Sequence, residues 1–452
     1  MSTVVLLSLG VAIAVVLPVA WRVRRRRFDP FEPILVFALA WGVMFVVRPI
    51  AIVVRDDTIF YGVDIGPTLD KAVLLGLIGA VGFVVGYEIQ AGTRLAKWLP
   101  EPPETVNPHR ALGGAAVCAA LGTLALALIL LPSGIDGVDT FLNGRSRELS
   151  ELIEGSTLYL WYGSLVVIPA ALVGVAIAVA TRTPGTVMVA MGLVGLALLR
   201  TVPTGNRIFL LVLVGGVVVF VFLHLQRRPG AVSLVVGLAA ALVLSYTVLG
   251  LRSSDDRDGL TSLIHRLREA PQRVFNPLVR GPDAEMAPAL AGALLVVPDE
   301  FEHRFGGATV GDLVVRPIPR ELWPGKPEVP GRQVTAAVWP GAREGGAFDP
   351  AFTPVLFFYW DFGIPGVFVG MALLGMLARV LYEYLLLRPR SLVAQLVFAS
   401  GLWYLVVAVR HDPVSVFVWG IIVFAPLIGI LSLGSKDRPV RDTAAVAFPL
   451  DQ

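Results

Sequence analysis

The stretch VVLLSLGVAIAVVLPVAW, residues 4–21, contains no charged residue, and RVRRRR, residues 22–27, follows it directly. About 20 predominantly apolar residues are enough for a helix to cross a bilayer. A cleavable signal peptide carries its positive charges before its apolar run, whereas here they come after it. The stretch therefore predicts a retained first transmembrane helix whose N-terminus lies outside the cell.

The rest of the chain repeats this pattern. Of its 452 residues 56% are hydrophobic and only 16% are charged, whereas soluble proteins carry about 25% charged residues. The composition predicts an all-α, polytopic integral membrane protein that forms a single transmembrane bundle domain, residues 1–452. Apolar runs and the breakers between them predict eleven spans, at residues 3–21, 32–54, 70–88, 111–132, 157–180, 185–203, 208–225, 231–250, 364–382, 391–409 and 414–433.

The distribution of Lys and Arg predicts how the bundle is oriented, because cytoplasmic loops carry an excess of both. In the short loops they concentrate on the side that holds residues 22–27, as at Arg227 and Arg228. That side is predicted to be cytoplasmic. The N-terminus then lies outside, the C-terminus inside, and the long loop of residues 251–363 on the outer face.

Two segments of the long loop are predicted to be helical. Residues 260–267 carry leucine and isoleucine at helical spacing, which is typical of a helix that lies along the membrane surface. The run MAPALAGALLVVP, residues 286–298, is too short to span and predicts a buried or re-entrant helix. The loop is the expected place for chemistry or recognition outside the cell.

Several classes of function are excluded or not expected. Cys118 is the only cysteine, which excludes disulfides within the chain, cysteine-ligated zinc and iron–sulfur clusters. No nucleotide-binding loop is present, so ATP hydrolysis is not expected. His265 and His303 match no metal motif and are interpreted as surface residues. We expect no cofactor, no metal and no nucleic-acid partner.

The stretch LLRTVPTGNRIFLL, residues 198–211, places Arg200 and Arg207 between two apolar runs, where proline and glycine break the helix. An arginine well inside a span costs at least about 2.5 kcal/mol and usually faces a cavity or a partner. Arg48 and Arg410 lie similarly near the predicted outer ends of their spans.

These four arginines, entering from different helices, predict an anion-binding pocket, because a guanidinium gives bidentate contacts to phosphate oxygens. The alternative is that each reaches lipid headgroups or pairs with a carboxylate, for which Glu148, Glu151 and Asp412 are candidates. Nucleotide sugars and ATP are absent outside the cell. A phosphate site there would most naturally bind a lipid-linked phosphate or pyrophosphate, and a lipid pyrophosphate is also a good leaving group.

Three stretches resemble the bacterial O-antigen polymerase or oligosaccharide repeat-unit polymerase family. They are the GNR turn at residues 205–207, IPRELWPGKPEVPG at 318–331 and FTPVLFFYWDFGIPG at 352–366. The second is similar to the family's Pro-Arg-x-x-Trp-Pro-x-Lys-Pro pattern and the third to its Glu-x-Tyr-x-Asn-Phe-Gly segment. Phe357 stands where the family often has Glu, and Asp361 where it has Asn.

The resemblance implies an inverting, metal-independent glycosyltransferase in the bacterial cytoplasmic (inner) membrane, with its active site facing outside. It would transfer a growing oligosaccharide from undecaprenyl pyrophosphate to a lipid-linked repeat unit. The implied partners are the lipid-linked oligosaccharide, membrane lipid and, among proteins, a chain-length regulator or a flippase. A ligase of the same donor is the nearest alternative. A transporter or flippase is disfavoured, because the middles of the spans are almost uniformly apolar.

Within the loop a basic stripe is predicted, formed by Arg316, Arg320, Lys326, Arg332 and Arg343. Flat faces on which sugars could stack are offered by Trp323, Trp339, Tyr359 and Trp360. Aromatic residues also belong at any membrane interface, which is the competing interpretation. The prolines of WPGKP, residues 323–327, predict a rigid loop.

Transfer to a sugar hydroxyl needs a base whose pKa lies near the working pH. His411, between Arg410 and Asp412, is the first candidate, since Asp412 could orient its ring. Its alternative role is that of an ordinary interfacial residue. Asp361 is the second candidate, and its alternative role is to cap the ninth span.

Overall fold

The structure, a computed structural model, describes residues 2–26, 28–103, 105–143, 153, 157–204, 207–230, 284–341 and 350–434. At Ser2, Asn143 and Arg207 it describes the backbone alone. The predicted eighth span, 231–250, and the predicted surface helix, 260–267, therefore lie outside the described residues.

The described chain is built mainly of helices. In chain order they are α1 (Ser2–Arg24), α2 (Pro33–Gly42), α3 (Arg48–Arg55), α4 (Gly66–Glu88), α5 (Ala91–Trp98), α6 (Pro108–Leu130), α7 (Gly134–Asn143), α8 (Thr157–Gly163), α9 (Val167–Thr181), α10 (Pro184–Thr201), α11 (Arg207–His224), α12 (Met286–Ala293), α13 (Asp312–Val315), α14 (Pro330–Val338), α15 (Pro354–Leu387), α16 (Leu392–Arg410) and α17 (Pro413–Leu433).

Short irregular turns join some of these helices. One π-helical turn (Val43–Val47) links α2 to α3, another (Gly307–Gly311) precedes α13, and a 3₁₀ turn (Ser164–Val166) links α8 to α9. A further 3₁₀ turn, Leu131–Ser133, links α6 to α7. Strands β1 (Ile59–Phe60) and β2 (Val63–Asp64) form an antiparallel hairpin that the all-α prediction did not include.

Among the described residues, nine helical segments are long and apolar enough to cross a membrane, and the apolar helix Ile208–His224 is shorter. The chain is thus an integral membrane protein. In a bilayer every backbone polar group needs a partner within the protein, which is why the apolar runs become helices. The count of eleven spans and their orientation remain predictions.

Local chemistry sets where the spans begin. Prolines occupy the first turn of α2, α6, α10, α15 and α17, where the missing N–H costs nothing. The side chains of Asn107, Thr183, Ser391 and Asp412 cap the helices that follow them by accepting backbone N–H groups.

Polar contacts define one end of the bundle, which we call the Arg22 end. Arg22 bonds both Glu32 and Glu88 at 2.7 Å, so it joins the end of α1, the start of α2 and the end of α4. Tyr382 donates to Asp29 at 2.9 Å, which adds the last part of α15.

The opposite end, which we call the loop end, carries residues 284–341 and 350–353. Trp339 donates from Nε1 to the carbonyl of Phe60 at 3.1 Å, which ties the loop to the β-hairpin. Thr353 donates to the carbonyl of Val409 at 3.1 Å, near the end of α16. Contacts within the loop therefore bring together helix ends from both halves of the chain.

The loop itself is largely packed. Every residue of α12 is buried, which confirms the prediction of a buried helix within residues 286–298. Residues 316–329 form neither helix nor strand, as the prolines of WPGKP predict.

Helix α15 begins at Pro354, earlier than the predicted start of the ninth span at residue 364. It is broken at Phe362 and Gly363, where Gly363 has φ 63° and ψ −151°, a conformation that glycine adopts without strain. The predicted start coincides with this break. The part before it, residues 354–361, is a buried extension within what the sequence assigns to the loop.

Helices α4 and α15 pack with their backbones in contact. A Cβ atom at Gly86 would overlap the carbonyl oxygen of Ala372, and one at Gly375 would overlap that of Phe83. Small residues allow this approach between membrane helices, where dispersion forces supply much of the attraction.

We expect Gly86→Ala to destabilise the bundle by roughly 1–3 kcal/mol, the usual cost of overpacking. Gly113→Ala on α6 is the matched control, because nothing lies within 4 Å of its would-be Cβ. Thermal unfolding of the two purified variants in detergent measures the difference. Equal melting temperatures would show that the two helices do not approach this closely.

Candidate substrate-binding site

Arg200, the penultimate residue of α10, is the most deeply buried arginine among those described, with 2% of its surface exposed. Its Nε donates to Ser164 Oγ at 2.5 Å and its Nη2 to the carbonyl of Trp161 at 3.1 Å. Its Cζ lies 3.8 Å from the centroid of the Trp161 ring. The last part of α8 supplies Trp161 and the 3₁₀ turn that follows it supplies Ser164.

All these partners of Arg200 are neutral. Within the described ranges no carboxylate lies in salt-bridge distance of its guanidinium, and Nη1 donates no hydrogen bond. Glu148 and Glu151, which the sequence offers as partners, lie outside the described residues. A buried charge without a counter-charge is costly. This geometry fits a cation held ready for an anionic ligand.

An aromatic cluster is centred on Trp419 of α17. The ring of Trp419 contacts those of His411, Phe209 and Tyr162, with centroids 5.2, 5.8 and 6.4 Å away. Tyr162 follows Trp161 in the chain, and Trp161 contacts Arg200. Helix α8 therefore contributes one aromatic residue to the cluster with His411 and one to the surroundings of Arg200.

A second arginine, Arg316, ties the loop to the start of α17. Its Nη1 lies 3.0 Å from Asp412 Oδ1 and donates to Ser415 Oγ at 2.6 Å, while Nη2 pairs with Asp312. We call Asp312, Arg316, Asp412 and Ser415 the Arg316 clasp. Asp412 also caps α17, so its described contacts hold the loop to the start of that helix. A contact with the ring of His411, which we expected from the sequence, is not among them.

Burial raises the pKa of Asp312, against the opposing effect of Arg316. The carboxylate is 7% exposed, and desolvation disfavours its charged form. The ion pair with Arg316 is therefore what makes a charged Asp312 tolerable at this position.

The loop motif is held by its own side chains. Lys326 donates from Nζ to the carbonyls of Arg316 and Ile318, both at 2.7 Å, and Arg320 donates to the carbonyl of Lys326 at 3.0 Å. Burial lowers the pKa of Lys326, and the neighbouring Arg320 and Arg316 add to this. Lys326 and Arg320 thus fold the loop, which is a different use from the glycan contacts that we predicted.

Trp323 and Arg332 remain exposed, the former by 39%. They keep faces that a glycan could contact. Tyr359 is 7% exposed, with Lys71 Nζ 5.1 Å from its ring centroid. Its ring is mostly covered by protein, which leaves little surface for a sugar.

Asp361, the second candidate base, is completely buried. Its Oδ1 accepts the N–H of Ala308 at 2.8 Å and its Oδ2 the hydroxyl of Thr309 at 2.5 Å. His303 is exposed, as the sequence predicts, and it also hydrogen-bonds the Trp360 carbonyl at 3.1 Å. Both carboxylate oxygens of Asp361 therefore hold the loop against the break in α15. These contacts are not those of a cap of its own helix, which was the alternative role predicted for Asp361.

Arg48 lies in a different group of residues. It is 8% exposed and faces Tyr61, whose hydroxyl donates to Glu285 Oε1 at 3.3 Å. Burial raises the pKa of Tyr61 to about 12, and the nearby carboxylate of Glu285 contributes to this increase, whereas Arg48 opposes it.

The other two predicted pyrophosphate-binding arginines are only partly described. The side chain of Arg207 is outside the described residues, and Arg410 ends α16 beside His411. The meeting of all four arginines in one pocket stays a prediction.

Sequence reasoning missed three residues that build this region: Trp161, Ser164 and Trp419. Nothing in the sequence distinguishes them from ordinary residues near span ends. Arg316 was predicted as part of the basic stripe, and its actual contact with Asp312 had a signal in their helical spacing. In the part of the chain that the structure describes, no three His, Cys, Asp or Glu side chains are grouped as ligands for a metal ion.

Comparisons of this chain with protein-family models, with curated proteins and with solved structures find no match. The fold therefore defines only the class of protein. It is an integral membrane protein with a bundle of apolar helices and a packed loop at one end.

We expect Arg316→Gln to loosen the loop, because it leaves the buried carboxylate of Asp312 without its cation. Breaking a buried ion pair costs roughly 3–5 kcal/mol, less where solvent reaches it. Cleavage by trypsin after Arg320 should become at least about tenfold faster, which corresponds to about 1.4 kcal/mol. Trypsin does not cut before Pro317, so the change removes no cleavage site.

Glu300→Gln is the control for this experiment, because it neutralises an exposed residue of the same loop. Its cleavage rate should equal that of the wild type. If Arg316→Gln were cleaved equally slowly, the clasp would not be what holds the loop down.

Proposed function

We propose that this protein is a glycan polymerase of the bacterial cytoplasmic membrane. It transfers a growing oligosaccharide from undecaprenyl pyrophosphate to a lipid-linked repeat unit on the outer face. The observation that carries the proposal is Arg200, a buried cation whose partners among the described residues are all neutral. The three stretches that resemble the O-antigen polymerase family support it.

Arg200 binds the donor's pyrophosphate in this mechanism. Its Nη1 offers N–H groups, while Ser164 and the Trp161 carbonyl fix the plane of the guanidinium. Negative charge develops on the pyrophosphate oxygen as its bond to the anomeric carbon breaks. A fixed cation in a medium of low dielectric stabilises that charge more than water does. Arg207 and Arg410 are further candidates for the same anion.

His411 is the proposed base. It accepts the proton of the acceptor hydroxyl, whose oxygen then attacks the anomeric carbon while the lipid pyrophosphate leaves. His411 is preferred over Asp361, because both oxygens of Asp361 are engaged in holding the loop. The ring of Trp419 supports His411 from one side, with their centroids 5.2 Å apart.

In this mechanism the aromatic cluster and the exposed Trp323 supply ring faces on which sugars stack. The loop end supports the bound glycans. The chemistry needs no other energy source, because the pyrophosphate bond already activates the glycan. The protein contributes positioning and charge stabilisation.

We expect Arg200→Gln to abolish polymer formation without lowering the stability of the protein. Loss of one stabilising donor at such a site reduces turnover by about 10²–10³. The fold should be retained, because glutamine keeps an amide donor for Ser164 or the Trp161 carbonyl and removes the cost of burying a charge. In the bacterium that carries the gene, the surface-glycan ladder on a gel should collapse to one repeat unit.

Arg94→Gln, on the exposed surface of α5, is the control and should leave a normal ladder. Protein abundance and thermal stability are measured for both variants. A normal ladder in Arg200→Gln would contradict the proposal. Loss of activity together with loss of stability would make Arg200 a structural residue instead.

Deletion of the gene distinguishes the alternatives. A ladder reduced to one repeat unit supports the polymerase, and loss of the capped acceptor indicates a ligase. Accumulation of the lipid-linked unit on the inner leaflet indicates a flippase.

A further inference from the structure

Residues 305–314 of the loop show a burial pattern that is reversed with respect to a segment facing water. The buried positions are Ala308 and Asp312, at 1% and 7% exposure, while Phe305, Val310 and Val314 are exposed by 80%, 66% and 67%. A helical surface segment in water normally buries its apolar residues and exposes its charged ones. Here the charged residue points inward and the valines point outward.

Specific contacts fix this arrangement on the inner side. The N–H of Ala308 and the hydroxyl of Thr309 both bond Asp361, and Asp312 pairs with Arg316. These bonds hold the polar atoms toward the bundle. The segment therefore cannot turn over and hide its valines without breaking them.

The exposed apolar face continues into the outer surface of α15. Phe362 and Ile364, at the helix break, are exposed by 52% and 50%, and Val369 and Leu373 further along by 55% and 52%. The ring of Phe362 also adjoins the loop, since its Cζ lies 3.7 Å from the Cβ position built at Gly306. The loop segment is thus joined to the lipid-facing side of a transmembrane helix.

The depth of the segment follows from the length of α15. From Ile364 to Leu387 the helix rises roughly 36 Å at 1.5 Å per residue, against a hydrocarbon core of about 30 Å. Its break therefore lies at the boundary between hydrocarbon and headgroups. Residues 305–309, which pack on Trp360 and Asp361, lie at that boundary too.

We propose that Phe305, Val310 and Val314 are immersed in the bilayer, so that residues 305–314 form an interfacial membrane anchor of the loop. The occupant of this face is the acyl region of the surrounding lipid, because the segment adjoins, at Gly306 and Phe362, the exposed apolar side of a helix long and apolar enough to cross a membrane. The inference is independent of the proposed reaction. It adds that the Arg316 clasp, directly after this segment, is held near the headgroups.

Site-directed spin labelling tests the proposal in the full-length protein, reconstituted in phosphatidylcholine and phosphatidylglycerol vesicles. In a Cys118→Ala background, which removes the only cysteine, single changes Val310→Cys and Val314→Cys receive a nitroxide. Leu373→Cys serves as the lipid-facing reference and Glu101→Cys, exposed in the short loop at the Arg22 end, as the aqueous reference. Accessibility to oxygen and to a water-soluble nickel chelate is measured at each site.

We expect labels at Val310 and Val314 to be several-fold more accessible to oxygen relative to the nickel chelate than the label at Glu101, approaching the ratio at Leu373. Accessibility to the chelate equal to that at Glu101 would place the segment in water. Low accessibility to both reagents would mean that another protein or a second copy covers it. Either of these results overturns the proposal.

Discussion

The bilayer's low dielectric is the constraint on which the rest of this structure depends. It forces the apolar runs into helices and drives polar side chains to the ends of the bundle, where each charge must find a partner. The two ends meet this requirement differently. At the Arg22 end the buried Arg22 has two carboxylates at 2.7 Å, Glu32 and Glu88. At the loop end the more deeply buried Arg200 has only neutral partners in the part of the chain that the structure describes.

This contrast is the reason for choosing Arg200 as the candidate ligand-binding arginine. The same residue type lies at the two ends of one bundle, 8% and 2% exposed, so burial does not explain the difference between them. Arg316 belongs with Arg22, because Asp312 and Asp412 compensate it. Among these three arginines Arg200 alone has no acid among its described partners, and its partner Trp161 precedes Tyr162 of the aromatic cluster in the chain. Carboxylates compensate Arg22 and Arg316, which hold the fold together, whereas Arg200 is the residue that we propose binds an anionic ligand.

Much of the fold could be predicted from the sequence because its signals are local. Apolar runs, prolines at first turns and capping side chains mark span boundaries within one stretch of chain, and the buried α12 follows from an apolar run too short to span. The break in α15 shows the limit. The prediction placed the start of a span at residue 364, since Gly363 is a visible breaker, but the helix before it is fixed by loop contacts far away in sequence.

The candidate site was less predictable, because partners decide what a polar residue does. Lys326, Arg320 and Asp361 carry the residue types that chemistry needs, yet their contacts fold the loop. Trp161 and Ser164 carry no sequence signal, and they become important only because the end of α8 and the 3₁₀ turn after it lie against Arg200 of α10. The burial pattern of residues 305–314, with polar side chains inside and apolar ones outside, is likewise determined by the partners of its polar residues. Asp361 and Arg316 draw Thr309 and Asp312 inward, so the valines between them must face outward, and a lipid surface is the environment in which that arrangement is stable.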